Sequence, residues 1–227
     1  MNHLADKRVL ITAGPTWIAI DRVRVITNVF TGELGLLIAR EFQKRKAKVT
    51  LLFGPGRKEL IDSGRDKFKI KYFRYFEELR SLLTKEARPA DVIINSAAIS
   101  DYRPDKVFQG KIKSKQKSLI LKFKPTIKLV DLVRKINPKA VLVKFKLEVD
   151  KTKKELIEKS RQSRLFSKAD FIVANDYSLI SDKYHQAYIM DNSKKIVVCR
   201  TKQETAKTLA DIINNYFTQK HDLQRAR

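Results

Sequence analysis

The residues of this chain that could do chemistry begin with a polar segment at positions 20–31. Arg24, Asn28 and Thr31 supply a cation and neutral hydrogen-bonding groups. They stand just before Gly32 and a helical pattern, where the positive end of a helix dipole favours an anion. The segment therefore predicts a loop that binds an anionic ligand. A surface-exposed Arg24 and a turn-capping Asn28 are the structural alternative.

A second segment, residues 95–104, begins at the end of the apolar run 91–98. Ala97 and Ala98 are small, so a planar ligand can approach the backbone there and have its edge read by N–H and C=O groups. Asp101 follows, and its carboxylate could hold a metal ion or a hydroxyl group. The pattern predicts a nucleotide contact, with an Asx turn at Asp101 as the alternative.

A third segment, residues 110–115, reads Gly-Lys-Ile-Lys-Ser-Lys. Lysine is a mobile point charge suited to phosphates and to an oxyanion that develops during acyl transfer. Lys111 is the first lysine of this cluster. In a chain with 49 Lys and Arg residues, a Lys-x-Lys pattern is also typical of a solvated surface.

The stretch that must position these segments is residues 7–16, in which an apolar run, Val9–Ile11, stops at Thr-Ala-Gly-Pro-Thr. Gly14 lies where the backbone has to come close to a ligand, and Gly32 and Gly35 open the helical pattern 33–46. Neither G-x-G-x-x-G nor G-x-x-x-x-G-K-[ST] is present. The sequence predicts a phosphate- or nucleotide-binding βα unit whose long loop itself carries ligand contacts.

Strand and helix patterns alternate along most of the chain. The predicted strands are 8–12, 48–53, 68–75, 91–98, 118–124, 141–149 and 171–174, with a hairpin of 186–191 and 195–200. The predicted helices are 33–46, 76–86, 127–136, 153–167 and 201–217, and 99–117 is a predicted loop. This order predicts an α/β fold with a Rossmann-like, mostly parallel sheet, helices on both faces and a C-terminal hairpin extension. Ligands bind at the carboxyl ends of such strands.

Composition limits the class of protein. The 227 residues, 43% of them hydrophobic, predict one domain over 1–218 and a charged, frayed tail over 219–227. No apolar run reaches the roughly 18 residues of a membrane span, and no signal peptide is evident. The single cysteine, Cys199, excludes an internal disulfide and is expected to be buried, while the three histidines are scattered. We expect a cytoplasmic protein without a membrane partner.

The formal net charge of +24 suggests a nucleic-acid surface as one explanation. The lysines, however, are spread along the whole chain, and no RRM, KH, helix-turn-helix or zinc-finger pattern accompanies them. A solvated, lysine-rich surface is the favoured explanation, so nucleic acid is not the expected partner. A share of the charge could attract anionic small molecules into a site.

The order and spacing of these pieces closely resemble the phosphopantothenoylcysteine synthetase family, in its stand-alone form. The matching pieces are Ala13–Thr16, Ile20–Asp21, Val23–Arg24, Ile26–Asn28, Thr31–Gly32, Ala97–Ala98, Ser100–Pro104, Lys111–Lys113, Phe145–Glu148 and Asp170–Asp176. The resemblance implies a ligase of coenzyme A biosynthesis that joins 4′-phosphopantothenate to cysteine. It uses Mg²⁺ and a nucleoside triphosphate, CTP or ATP, through an acyl-nucleotidylate, and it is usually a homodimer.

The resemblance also implies roles for individual residues. Asn28 and Lys111 match the catalytic positions, the asparagine that binds the activated intermediate and the lysine linked to its turnover. Substrate-binding positions fall at Arg24, Thr31 and Gly32. Nucleotide-binding positions fall at Gly14, Ala97, Ala98, Asp101, Lys111, Pro125, Thr126, Ile127, Lys128 and Phe145. No set of metal-ligating residues is assigned.

The chain departs from the family pattern at several of these positions. The usual Ser-Ser-Gly-Lys reads Phe-Thr-Gly-Glu and ends at Glu33, and a common glycine is Lys144. Two lysines of the family fall at Ser163 and Ser167. These changes leave the choice between CTP and ATP open, and they leave room for an altered or weakened enzyme.

Two other classes of function compete with the ligase. A non-catalytic protein with a Rossmann-like fold that binds nucleotides or nucleic acid would not need both Asn28 and Lys111, and the chain has both. An NAD(P)-dependent oxidoreductase is disfavoured because the first loop lacks the G-x-G turn and no Tyr-x-x-x-Lys pattern follows a strand.

Overall fold

A computed structural model describes residues 2–115, 117–181 and 183–225. Its strands are β1 (Arg8–Ala13), β2 (Trp17–Ala19), β3 (Val25–Thr27), β4 (Lys48–Phe53), β5 (Lys69–Tyr72), β6 (Val92–Asn95), β7 (Tyr102–Pro104), β8 (Phe123–Pro125), β9 (Val141–Glu148), β10 (Phe171–Asp176), β11 (Ala187–Met190) and β12 (Ile196–Cys199). Its helices are α1 (Glu33–Lys44), α2 (Phe76–Glu86), α3 (Leu129–Ile136), α4 (Lys153–Phe166) and α5 (Lys202–Arg225).

Most of the strands join one sheet in the order β12-β11-β10-β9-β6-β1-β4-β5. The strands from β10 to β5 in this order run parallel to one another, whereas the hairpin of β11 and β12 is antiparallel. The edge strand β5 carries Lys69 and Lys71, and β12 forms the opposite edge. The predicted α/β fold, with its mostly parallel sheet and C-terminal hairpin, is confirmed.

Helices cover both faces of the sheet, as predicted. On one face, α1 and α5 pack together and cover the row that includes Ile11, with Phe42 and Leu209 fully buried between them. On the other face, α2, α3 and α4 cover the alternate residues; Leu79 packs on the row that includes Ile93, and Leu156 contacts β10. Because successive side chains of a strand point to opposite faces, each central strand must be apolar almost throughout.

Segments outside the main sheet depart from the predicted elements. The predicted loop 99–117 contains β7, which pairs antiparallel with β8, and the predicted strand 118–124 is extended only at its end. The alternation of Leu119, Leu121 and Phe123 misled the prediction because Leu119 and Phe123 are exposed rather than packed on a core. The loop after β1 likewise contains the hairpin of β2 and β3.

The last helix extends beyond its predicted bounds, 201–217, into the predicted tail. Helix α5 continues from Lys202 to Arg225. The sequence beyond Phe217 contains no proline or glycine that would end a helix, and charged residues are good helix formers on an exposed surface. Cys199 is fully buried as predicted, and burial raises the pKa of its thiol. In the described part of the chain, no helix combines the length and apolar character of a membrane span.

Close backbone approach fixes the loop after β1. Gly14 has a φ of 78°, and a Cβ atom there would lie 3.2 Å from the backbone of Gly54, which follows β4. A Cβ atom at Gly35 in α1 would lie 2.5 Å from the Cβ of Ala13 and 2.9 Å from the Oγ of Ser96. Glycine at these positions therefore lets β1, β4, β6 and α1 meet at the carboxyl edge of the sheet.

A buried carboxylate fixes the segment that carries Lys111. Asp21 accepts hydrogen bonds from the N–H groups of Val23 (2.8 Å), Arg24 (2.7 Å) and Ile112 (3.0 Å). It also accepts one from the Arg24 guanidinium, at 2.7 Å. The N–H of Ile112, followed by the other donors, lowers the pKa of Asp21 to about 2. Through this carboxylate, the 20–24 turn holds the chain beside Lys111 in place.

We expect Gly35→Ala to destabilise the fold. The added methyl group overlaps Ala13 and Ser96, and overpacking of this kind costs about 1–3 kcal/mol, more than the roughly 1 kcal/mol that alanine gains in a helix. Gly110→Ala is the matched control because a Cβ atom at Gly110 would have no neighbour within 4 Å. Urea titrations measure the difference, and equal midpoints for the two variants would contradict this account of the packing.

We expect Asp21→Asn to lower the melting temperature at pH 7 and to expose the 105–112 segment to protease. A native pKa of about 2, below the ordinary value of 3.8, stabilises the fold at neutral pH, and this contribution is lost as the pH falls from about 4 to about 2. The gap in melting temperature between wild type and variant should therefore shrink over that range. Asp105→Asn, which removes only an exposed ion pair with Lys124, is the control. Equal melting temperatures for wild type and Asp21→Asn at pH 7 would refute the proposed role.

Candidate functional site

An open cleft of about 1000 Å³ lies at the carboxyl ends of β6 and β9, where ligands bind in sheets of this type. The start of α3, one face of α4 and the segment before α1 also line it. The predicted site residues that line the cleft are Asn28, Ala97, Ala98, Asp101, Ile127, Lys128 and Phe145. Residues that are far apart in the sequence thus meet at one surface.

Asn28 joins the segment before α1 to the loop after β6. Its Nδ2 atom donates a hydrogen bond to the carbonyl oxygen of Ala98, at 3.0 Å. The neighbouring Thr27 hydroxyl donates to the carbonyl of Thr16, at 3.1 Å, which fixes the backbone on the other side. The side chain of Asn28 remains exposed at the margin of the cleft, so its amide is held in one orientation and is accessible to a ligand.

The backbone of Ala97 and Ala98 already holds the neighbouring loops. The N–H of Ala97 donates to the Thr12 hydroxyl (3.1 Å), and the N–H of Ala98 donates to the carbonyl of Gly14 (3.0 Å). The carbonyl of Ala98 also accepts from the N–H of Thr16, at 3.3 Å. The Ala98 carbonyl accepts two hydrogen bonds, from Thr16 and Asn28, whereas the Ala97 carbonyl accepts one, from the N–H of Ile99. These residues therefore offer a ligand one lone pair of the Ala97 carbonyl and a flat surface without large side chains.

Asp101 and the 125–128 turn form one side of the cleft. The Lys128 ammonium lies 2.6 Å from the Asp101 carboxylate, and both side chains are more than half exposed. Backbone and side-chain hydrogen bonds from Thr126 to the carbonyls of Asp101 and Ser100, both 2.8 Å, fix the turn. Ile127 is half exposed on the cleft, whereas Pro125 pairs with Tyr102 in the small β7–β8 sheet.

Strand β9 brings apolar and charged groups to the cleft together. Phe145 packs on the core and also lines the cleft. Glu148 pairs with Lys146 at 2.8 Å and with Lys159 at 3.5 Å, and the hydrogen bond from Lys146 is the main cause of its lowered pKa. Lys144 donates to the carbonyl of Ser163 at 3.2 Å. The two departures at 144 and 163, noted separately in the sequence, are therefore in contact.

The structure does not bring Lys111 or Arg24 to the surface of the cleft. The Arg24 guanidinium bonds to Asp21 and to the carbonyl of Ile112, at 2.7 and 3.3 Å, so the charge is engaged within the protein. Lys111 is exposed and is absent from the residues that line the cleft. Within the described chain its ammonium has no hydrogen-bond or ion-pair partner.

Gly14, Thr31 and Gly32 form a separate corner beside the cleft. Gly32, with a φ of 84°, is the N-cap of α1, and a Cβ atom there would lie 3.0 Å from the nitrogen of Gly14. The Thr31 hydroxyl accepts a hydrogen bond from the N–H of Glu33, at 3.3 Å. The Glu33 carboxylate pairs with Lys202 at 2.5 Å, so the acid that departs from the family pattern is neutralised by α5.

Sequence reasoning missed several side chains at the cleft. Phe30 lines it beside Asn28, and Phe166, at the end of α4, is 81% exposed on it. Lys144 was noted only as a departure from the family pattern. An exposed phenylalanine at the end of an amphipathic helix was a usable signal for Phe166, but nothing local placed Lys144 against α4.

Residues 4–217 match the family model described as "DNA/pantothenate metabolism flavoprotein C-terminal domain". A relative in Thermococcus kodakarensis, "Coenzyme A biosynthesis bifunctional protein CoaBC", is 34% identical over an alignment of 221 residues that covers 92% of this chain and 51% of that protein. The protein of the same name in Methanocaldococcus jannaschii is 31% identical over an alignment of 208 residues that covers 90% of this chain and 49% of that protein. The chain spans about half the length of these curated relatives.

Among solved structures, the DNA/pantothenate metabolism flavoprotein from Streptococcus pneumoniae superposes with a TM-score of 0.84 at 31% sequence identity. The match covers 93% of this chain and 100% of that chain. The family model thus covers nearly the whole described fold, from Leu4, ahead of β1, to Phe217 within α5. The chain belongs to the DNA/pantothenate metabolism flavoprotein C-terminal domain family.

Proposed function

We propose that the protein is a phosphopantothenoylcysteine synthetase, the ligase that joins 4′-phosphopantothenate to cysteine in coenzyme A biosynthesis. Membership of the family over residues 4–217 and the similarity to CoaBC proteins support this proposal. The structural observation that carries it is the 3.0 Å hydrogen bond between Asn28 and Ala98. Through this bond, the residue proposed to bind the acyl intermediate and the loop proposed to bind the nucleotide share one margin of the cleft.

The proposed reaction has two steps. The carboxylate of phosphopantothenate attacks the α-phosphorus of the triphosphate, which forms an acyl–phosphate bond and releases pyrophosphate. The amine of cysteine then attacks the acyl carbon, and the nucleoside monophosphate leaves as the amide forms and the amine loses a proton. Each step needs orientation of anionic groups and stabilisation of developing negative charge rather than a protein nucleophile.

Different segments of the chain would orient the substrates and stabilise the developing negative charge. Asn28 would donate its fixed amide to the intermediate, and Asp101, Ile127, Lys128 and Phe145 would surround the nucleotide. Because Arg24 is engaged with Asp21, we assign it the role of positioning the segment of Lys111 rather than a direct substrate contact. Lys111 would then reach the intermediate from a segment whose anchor is Ile112.

The nucleotide would be CTP or ATP, and Mg²⁺ would arrive with its phosphates, as it does in many phosphate-binding sites. Among the described residues, no group of three or more His, Cys, Asp or Glu side chains could ligate a metal ion, so we derive no step through a protein-bound metal. We also propose that the protein is cytoplasmic and forms a homodimer.

We expect the purified protein to release pyrophosphate when phosphopantothenate, cysteine, Mg²⁺ and either CTP or ATP are all present. Mass spectrometry should identify phosphopantothenoylcysteine as the product. Omission of cysteine should leave the acyl-nucleotidylate as the accumulated species. No pyrophosphate with either nucleotide would contradict the ligase.

The second candidate function, a non-catalytic nucleotide- or nucleic-acid-binding protein, is favoured only by the net charge of +24. It predicts duplex binding with a steep salt dependence and no product. The product assay and a salt titration of duplex binding therefore separate the two functions.

We expect Asn28→Asp and Lys111→Gln each to lower kcat by about 100-fold or more, the scale of losing one donor to a developing anion. Asn28→Asp also places a negative charge beside anionic substrates and removes the N–H donor to Ala98. Lys113→Gln, an exposed lysine of the same segment, is the matched control and should stay near the wild-type rate. Folding is checked by melting temperature. Wild-type rates in both site variants would mean that these roles are wrong.

A further inference from the structure

The lysines of the cleft differ in whether a carboxylate already neutralises them. Lys128 pairs with Asp101 at 2.6 Å. Lys146 and Lys159 share Glu148, at 2.8 and 3.5 Å. Lys144, which also lines the cleft, has no carboxylate within ion-pair distance among the described residues. Among the lysines that line the cleft, Lys144 is the one without an ion pair to the described residues.

The surroundings of Lys144 make this charge costly in the absence of a ligand. The side chain is half-buried, and its one hydrogen bond is to the neutral carbonyl of Ser163, at 3.2 Å. An ammonium group has three donors, so two are left for other partners. Burial is the main cause that lowers the pKa of Lys144; nearby Lys128 and Lys146 lower it further, whereas Asp131 and Asp101 oppose the shift.

The rest of the cleft indicates what kind of anion would complete this site. Ile127, Phe145 and the exposed Phe166 give the cleft apolar surface, and its volume of about 1000 Å³ accommodates a ligand larger than an isolated phosphate. A planar aromatic base, whose faces stack on apolar side chains, and a chain of phosphates in one molecule match such a mixture of surfaces. A partly desolvated ammonium group also binds a phosphate oxygen more strongly than a fully exposed one does, because water competes less there.

We propose that Lys144 binds a phosphate oxygen of the nucleoside triphosphate, with its ammonium group held in position by the carbonyl of Ser163. This inference rests on the proposed function because it assigns the nucleotide to this cleft. It adds a binding residue on β9 and makes the contact between β9 and α4 part of the nucleotide site.

Calorimetric titration of the full chain with CTP and with ATP, each with Mg²⁺, tests the proposal. We expect Lys144→Met to raise the Kd of the nucleotide that wild type binds by about tenfold or more, the effect of one charged hydrogen bond. Lys144→Arg, which keeps the charge, should recover most of the affinity. Lys146→Met, on the same strand but paired with Glu148, should weaken binding less. An unchanged melting temperature for Lys144→Met shows that the fold is intact.

Proton uptake gives a second readout that a merely structural lysine would not change. A bound phosphate opposes the effect of burial and raises the pKa of Lys144, so binding should take up part of a proton in the pH range between the pKa values of the free and bound states. Titrations in buffers of different ionisation enthalpy measure this uptake, which should vanish in Lys144→Met. The charged groups facing the site, Asp101, Lys128, Asp131, Lys146, Glu148 and Lys159, are unchanged in that variant.

The outcomes separate this inference from the proposed function. Equal affinity and equal proton uptake in wild type and Lys144→Met would overturn the role of Lys144 and leave the ligase standing. A wild-type protein that binds neither nucleotide would overturn both. Weaker binding in Lys144→Met, recovery in Lys144→Arg and loss of the proton uptake would together support the assignment.

Discussion

The site depends on a close contact between backbone segments that have no room for side chains. Helix α1 approaches β1 at Gly35, and the loop after β1 touches the loop after β4 at Gly14 and Gly54. This contact sets the direction in which the chain leaves the sheet, and therefore where the segment before α1 returns to the loop after β6. The hydrogen bond between Asn28 and Ala98 then joins the segment before α1 to the loop after β6.

Charge pairing then sorts the cations of the molecule into those that hold structure and those that face ligands. Arg24 forms an ion pair with Asp21 that fixes the surrounding chain, and Lys202 neutralises Glu33 at the start of α1. A carboxylate in contact with a cation weakens the attraction of that cation for an anionic ligand. A partly buried ammonium group without such a partner attracts the ligand more strongly. A residue's formal charge is therefore a poor guide to its role in so basic a protein.

The sequence predicted the elements of the main sheet and its covering helices because apolar periodicity directly reflects burial on one or both faces. It failed at β7, β8 and the end of α5, where exposed residues carry no such signal. For the site, the family pattern assigned Asn28, Asp101 and Phe145 to one reaction, and the three residues line one cleft in the structure. It could not anticipate that Lys144 lies against Ser163, because that contact joins a strand to a helix through tertiary packing.

Part of the positive charge lies at the edges of the sheet, where it has a role unrelated to any ligand. A free sheet edge exposes unpaired N–H and C=O groups that another chain can extend into an intermolecular sheet. Lys69 lies exposed on one such edge, where its neighbour Lys71 pairs with Glu86, and Lys194, Lys195 and Arg200 flank β12 at the other. Two molecules that approached edge to edge would bring these like charges together. Some of the +24 charge thus opposes the edge-to-edge pairing of two copies.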